Sequence, residues 1–211
     1  VLFRSVRENG VIVAEPTENL NNVVRGGVSV VKKDDDTGSA QGDGSLAGIR
    51  YAVINRSGSD VLVGGVRVPS GSVAAILTLD AQGKAQTASD ALPYGTYDIT
   101  ELRMDAVPVV GRELDEGTSI YANASYLYKA HTQSVSITEE GRTYPAAKAY
   151  ENKVVRGGVL LGKIDAETAA YEPQGFACLA NAEITIYNAS DDKVLVSGKW
   201  VEPGEVALVL Y

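Results

Sequence analysis

Apolar and polar residues alternate along most of the chain. Val28, Val30 and Lys32 share one face of a first predicted strand, and Ile49, Tyr51 and Val53 share a face of the next. Val61 with Val63, then Val73, Ala75 and Leu77, continue the same period. A period of two belongs to a half-buried strand, because successive side chains leave a strand on opposite faces. Between these runs lie turn formers: DDDTG, GDGS, NRSGSD, VPSG and DAQG recur at the spacing of an antiparallel sandwich. No stretch has a clear helical period, and DAVPVVGRELDEG at 105–117 reads as neither strand nor helix. The expected class is all-β.

The pattern is also duplicated. VVRGGV occurs at 23–28 and again at 154–159, an offset of 131, and VRENGVIVAEPTENLNN from Val6 overlays ITEEGRTYPAAKAYENK from Ile137 at the same offset. Further on, LAGIRYAVINRSGSDVLVGGVRVPSGSVAAILT from Leu46 overlays LANAEITIYNASDDKVLVSGKWVEPGEVALVLY from Leu179 at an offset of 133. Self-similarity of this kind marks an array of like modules. The expected organisation is the closing strands of a preceding repeat (1–22), one complete module (23–155) and the first part of the next repeat (156–211). VLFRS at 1–5 matches one reading frame of a common sequencing adaptor; it reads as non-native and is left out of the fold reading.

Composition narrows the function classes. A formal net charge of −8 argues against nucleic acid as a partner, since that affinity comes largely from Lys and Arg displacing counterions. No apolar run approaches the ~18 residues needed to span a bilayer, and the start lacks the pattern of a signal peptide. Cys178 is the only cysteine and His131 the only histidine, so an intrachain disulfide is excluded and a zinc site is unexpected. No metal or cofactor is expected.

Three polar positions interrupt faces that otherwise read as core. Lys32 lies among the inward valines of the first strand, where burial penalises its ammonium form. Glu101 shares a strand face with Tyr97 and Ile99 in YGTYDITEL, and Asn152 lies on the last strand of the module. GVSVVKKDDDTG, LAGIRYAVIN, LPYGTYDITEL and YENKVVRGGV together resemble the CnaB-type (SpaA-like, prealbumin-like fold, reverse Ig-like) domains of Gram-positive surface adhesins and pilins. The resemblance implies tandem antiparallel β-sandwiches, an extracellular location with cell-wall anchoring, and neighbouring repeats of the same chain as partners.

It also implies a self-made isopeptide bond, in which a strand lysine attacks a last-strand asparagine with help from a glutamate; by position these are Lys32, Asn152 and Glu101. Such a protein is not a turnover enzyme, because the reaction runs once. Lys32 rather than Lys33 fits the donor, since Lys32 aligns with Lys163 and shares parity with the core valines. Asn21 and Lys163 are the corresponding acceptor and donor of the partial repeats. The residues alone leave a second reading open, an unreacted buried pair of Lys32 and Glu101 with Asn152 as a turn-capping amide. After Glu101 the chain departs from the family, with RMDAVPVVGRELDEGTSIYANASYLYKAHTQ in place of a short proline-glycine stretch.

Two functional classes follow. One is a structural stalk; the other is a ligand-binding sandwich whose insertion presents Tyr121, Tyr126 and Tyr128 to a glycan or host protein. Exposed, clustered tyrosines favour the second. Weaker signals read as structure. Asp34, Asp36 and Gly38 imitate a calcium loop, but Ser45 stands where a bidentate glutamate belongs. Asn55, Asn123 and Asn188 head N-x-S triplets, of little meaning in a bacterial surface protein. Trp200 aligns with Arg67 and reads as a hairpin surface residue, and Cys178 as a bystander in a variable loop.

Overall fold

The structure, a computed structural model, describes residues 21–211 and the backbone of two short paired strands, β1 (Arg7–Glu8) and β2 (Val11–Ile12). The segment at 1–5 and most of the expected preceding repeat lie outside the described residues.

The central module begins with β3 (Arg25–Asp34), β4 (Arg50–Asn55), a hairpin of β5 (Val61–Val63) and β6 (Val66–Val68), and β7 (Val73–Thr78). It continues with β8 (Lys84–Gln86), β9 (Leu92–Pro93), β10 (Gly95–Glu101), β11 (Thr132–Ile137), β12 (Thr143–Pro145) and β13 (Tyr150–Asn152). One sheet has the order β11-β10-β4-β7 and is antiparallel throughout. The other is organised around β3, which pairs antiparallel with β8 and β9 and parallel with β12 and β13. First and last strands of the module therefore lie side by side and run the same way. No helix occurs among the described residues.

The core lies between the two sheets. Val28 and Val30 from β3 meet Tyr51 and Val53 from β4, Leu77 from β7, Tyr97 and Ile99 from β10, and Tyr150 from β13. Strand β3 alternates as the sequence demands, burying Val28, Val30, Lys32 and Asp34 while Val31 and Lys33 face out. Its paired glycines are a steric requirement of this first copy of the hexamer. A Cβ on Gly26 would lie 2.8 Å from Arg142 O, and one on Gly27 would lie 2.6 Å from Ala88 O, so β3 fits between its neighbours only without side chains there.

One predicted face needs correction. Val73, Ala75 and Leu77 share parity in sequence, but a bulge between Val53 and Ile54 in the β4–β7 ladder shifts the register. A bulge inserts one extra residue and turns the side chains beyond it to the other face. Val73 consequently joins Ala52, Ile54, Leu102 and Ala106 in a second cluster on the outside of the sheet, whereas Leu77 stays in the main core.

The insertion after Glu101 covers that outer face. Gly111 N donates to Val73 O (2.8 Å) and Val73 N donates to Arg112 O (2.8 Å), so the insertion binds the β7 edge at the bulge. Arg50 Nη2 donates to Met104 O (2.9 Å) and Ala106 O (3.0 Å), tying its start to the sheet. The stretch at 105–117 is irregular, held by a bridge between Val107 and Asp115.

The last segment carries β14 (Ile184–Tyr187), a hairpin of β15 (Val194–Val196) and β16 (Lys199–Val201), and β17 (Val206–Leu210). These stand at the positions of β4, β5, β6 and β7 shifted by 133, and the β14–β17 ladder has a bulge at Ile186/Tyr187, the counterpart of Val53/Ile54. The second VVRGGV forms no extended strand here.

Candidate functional site

Three strands bring one side chain each to a single buried point. Lys32 is delivered by the inward parity of β3, Glu101 by that of β10, and Asn152 by β13, whose parallel register sets Tyr150 against Lys32 and Asn152 against Asp34. Lys32 Nζ lies 3.0 Å from Glu101 Oε2, and neither side chain has any exposed surface. Asn152 Nδ2 donates to Glu101 Oε1 and to Leu127 O, the latter at 2.7 Å. A main-chain carbonyl only accepts, so the atom facing Leu127 O is the amide nitrogen, and the orientation of the Asn152 side chain is fixed. Its Oδ1 is buried with no hydrogen-bond partner among the described residues.

The surroundings are apolar and aromatic. Tyr51 and Tyr150 pack edge to face, 4.6 Å between centroids, and Tyr150 OH donates to Ile99 O (2.7 Å). Burial pushes the Lys32 amine down from its ordinary pKa, against the attraction of Glu101, and pushes the Glu101 carboxyl up, against the attraction of Lys32. Both shifts favour the neutral forms. A neutral lysine is a nucleophile and a neutral carboxyl is a proton donor, and the Glu101 carboxyl here contacts both the Lys32 amine and the Asn152 amide.

The remaining sequence candidates fall elsewhere. Lys33, Asn21 and Lys163 are exposed. Asp34 is buried, and its oxygens accept from Asp36 N (2.9 Å), Thr37 N (3.0 Å), Gln41 Nε2 (3.2 Å) and Tyr126 OH (3.1 Å). These bonds make it the cap of a turn. Each N-x-S triplet is an Asx turn, with the Asn Oδ1 accepting from the main-chain N–H of the Ser two residues on. Asn55 is fully buried with its amide on Ser59 O and Val68 O, so it is a structural part of its hairpin. Trp200 lies on the β16 surface with Lys193 Nζ 4.8 Å over its ring, and Cys178 is exposed.

The tyrosines of the insertion do not form an exposed cluster. Tyr126 is fully buried and donates to Asp34, while Tyr121 and Tyr128 are half-covered. Sequence reading missed both Tyr126 as a core residue and Leu127 as the acceptor for Asn152. The first has no periodic signal in so irregular a segment, and the second is a main-chain atom.

No family model matches the chain, and no curated protein does. Among solved structures, the chain is similar to BcpA, the major pilin subunit of Bacillus cereus, at 21% identity over 62% of this chain and 30% of that one, with a TM-score of 0.37. It is also similar to the Bacillus anthracis TIE protein, at 22% identity over 89% of this chain and 26% of that one, with a TM-score of 0.46. The chain thus spans less than a third of either.

Proposed function

We propose that the chain is a stalk segment of a Gram-positive surface adhesin or pilus, and that its central module closes an isopeptide bond between Lys32 and Asn152 with Glu101 as proton carrier. One arrangement carries the reading: the Glu101 carboxyl touches the lysine nitrogen with one oxygen and the amide nitrogen with the other. Neutral Lys32 Nζ attacks Asn152 Cγ and charge gathers on Oδ1. Glu101 takes the surplus proton from Nζ at Oε2 and delivers one from Oε1 to Nδ2. The Cγ–Nδ2 bond breaks, ammonia leaves, and the carboxyl ends as it began.

The bond joins the first strand to the last, so a pull along the chain passes through a covalent link and bypasses most of the module. A reductant leaves such a link intact. The stalk is favoured over a ligand-binding sandwich by the placement of Tyr126, which lies in the core and donates to Asp34 and is not part of an exposed patch.

Intact mass of the purified chain tests the chemistry. Wild type and Lys33→Ala should each weigh one ammonia less than their translated masses, and Lys32→Ala should weigh its full value. Wild type at full mass leaves only the unreacted buried pair.

A further inference from the structure

The central module and the segment after it meet through a specific set of contacts. Gly42 N donates to Lys193 O (2.9 Å), Leu195 N donates to Gln41 Oε1 (3.1 Å) and Asp191 N donates to Asp43 Oδ1 (3.1 Å). Arg156 spans the boundary, donating from Nη1 to Leu195 O (2.9 Å) and from Nη2 to Asp36 Oδ2 (3.0 Å).

Each half is prepared by its own module. In the β15–β16 hairpin, Leu195 stands opposite Trp200, one step from the pair that flanks the two-residue turn, so its N–H and C=O point away from the partner strand. That is an open strand edge. On the other side, Gln41 is buried and its Nε2 faces the carboxylate of Asp34, which only accepts. The amide oxygen is thereby turned outward, toward the Leu195 N–H. Gly42 has a φ of +56°, and a Cβ there would lie 2.7 Å from Val194 Cγ1, so the loop can approach the hairpin only with glycine at this position.

The central module carries the same hairpin half. Positions 193, 194 and 195 correspond to Asp60, Val61 and Leu62, and Arg156 corresponds to Arg25. Arg25 Nη2 donates to Leu62 O (3.0 Å), repeating the contact of Arg156 with Leu195. Among the described residues this edge is open: Leu62 is 54% exposed and borders a groove of about 650 Å³ with Arg25, Asp60 and Tyr94.

We propose that the 41–44 loop and the outer edge of the β15 hairpin are the two complementary halves of a joint that locks consecutive modules in one fixed orientation. The surfaces differ, so the contact is head-to-tail, and one such step can repeat from each module to the next. The joint needs no covalent bond and stands whether or not Lys32 is linked to Asn152.

Amide hydrogen exchange on the full chain tests it, because the occupied and open copies of one half provide an internal comparison. Leu195 N–H should exchange on the order of tenfold more slowly than Leu62 N–H. Gly42→Val should abolish that difference while the amides of β10 keep their protection. A second measurement is independent of that variant's folding: in Cys178→Ser, Asp43→Cys with Asp191→Cys should close a disulfide under mild oxidation, and Asp43→Cys with Gly58→Cys, the position in the central module that matches 191, should not. Equal exchange at Leu195 and Leu62 in wild type, or equal disulfide yields from the two cysteine pairs, overturns the joint.

Discussion

Glu101→Gln keeps the shape of the side chain but turns one of its two acceptor oxygens into a donor and removes the group that carries a proton between Lys32 and Asn152. General acid–base assistance contributes on the order of 10²–10⁴ in rate, so bond formation should slow by that factor. Positions 32 and 152 lie 120 residues apart, and closing a loop of that length removes on the order of 5 kcal/mol of unfolded-state entropy. At ~3–4 °C per kcal/mol for a domain of this size, the unlinked variant should melt roughly 15–20 °C below the linked protein. Intact mass reports the bond and scanning calorimetry the melting temperature. Loss of the buried pair is separated from loss of the bond by Lys32→Met with Glu101→Leu. Replacing an unlinked buried pair with apolar residues is neutral or stabilising by ~1–4 kcal/mol, whereas losing the bond costs on the order of 5. A double variant as stable as wild type, or Glu101→Gln releasing ammonia at the wild-type rate, would refute the reasoning.

Three further outcomes are expected. Tyr126→Phe removes a buried hydroxyl from Asp34 and should cost about 1–3 kcal/mol in urea unfolding; an unchanged midpoint would mean that the bond is not formed. Gly27→Ala should destabilise the central module by about 1–3 kcal/mol through its clash with Ala88, while Gly158→Ala, at the matching position with nothing within 4 Å, should leave the melting temperature where it was. In Asn152→Ala, which cannot close the bond, Glu101 titrates above its ordinary 4.5. The native state then holds more protons than the unfolded state just above that pH, and stability falls as pH rises through the window. Lys32 titrates below its ordinary 10.5, so the native state holds fewer protons just below that value, and stability climbs again as pH approaches it. Denaturant midpoints measured across pH should trace a shallow basin, and a monotonic curve would contradict the burial argument.

The strands and the buried triad were legible because a strict two-residue period leaves little freedom. Once Val28 and Val30 face inward, Lys32 must follow, and the duplicated Lys163 separates it from Lys33. The bulge at Val53/Ile54 was not legible, since a bulge is one residue of extra length with no compositional mark, and it moved Val73 to the other side of the sheet. The insertion was opaque for a related reason. Its order comes from main-chain bonds to the β7 edge and from single side chains such as Arg50 and Asp105, which have no period to detect. The joint between modules left a trace in the repeated arginine of VVRGGV, but its meaning depends on Asp34 orienting Gln41, a contact that only the fold creates.

The parallel pairing of β3 with β13 has a mechanical consequence of its own. Tension applied through the two ends of the module draws the start of β3 backward and the end of β13 forward, along the strands and in opposite senses. Ladder bonds loaded that way must slide and fail together, in shear, where a hairpin tugged at its open end would unzip one rung at a time. The sheet is thus arranged to bear load even before any side-chain chemistry takes place.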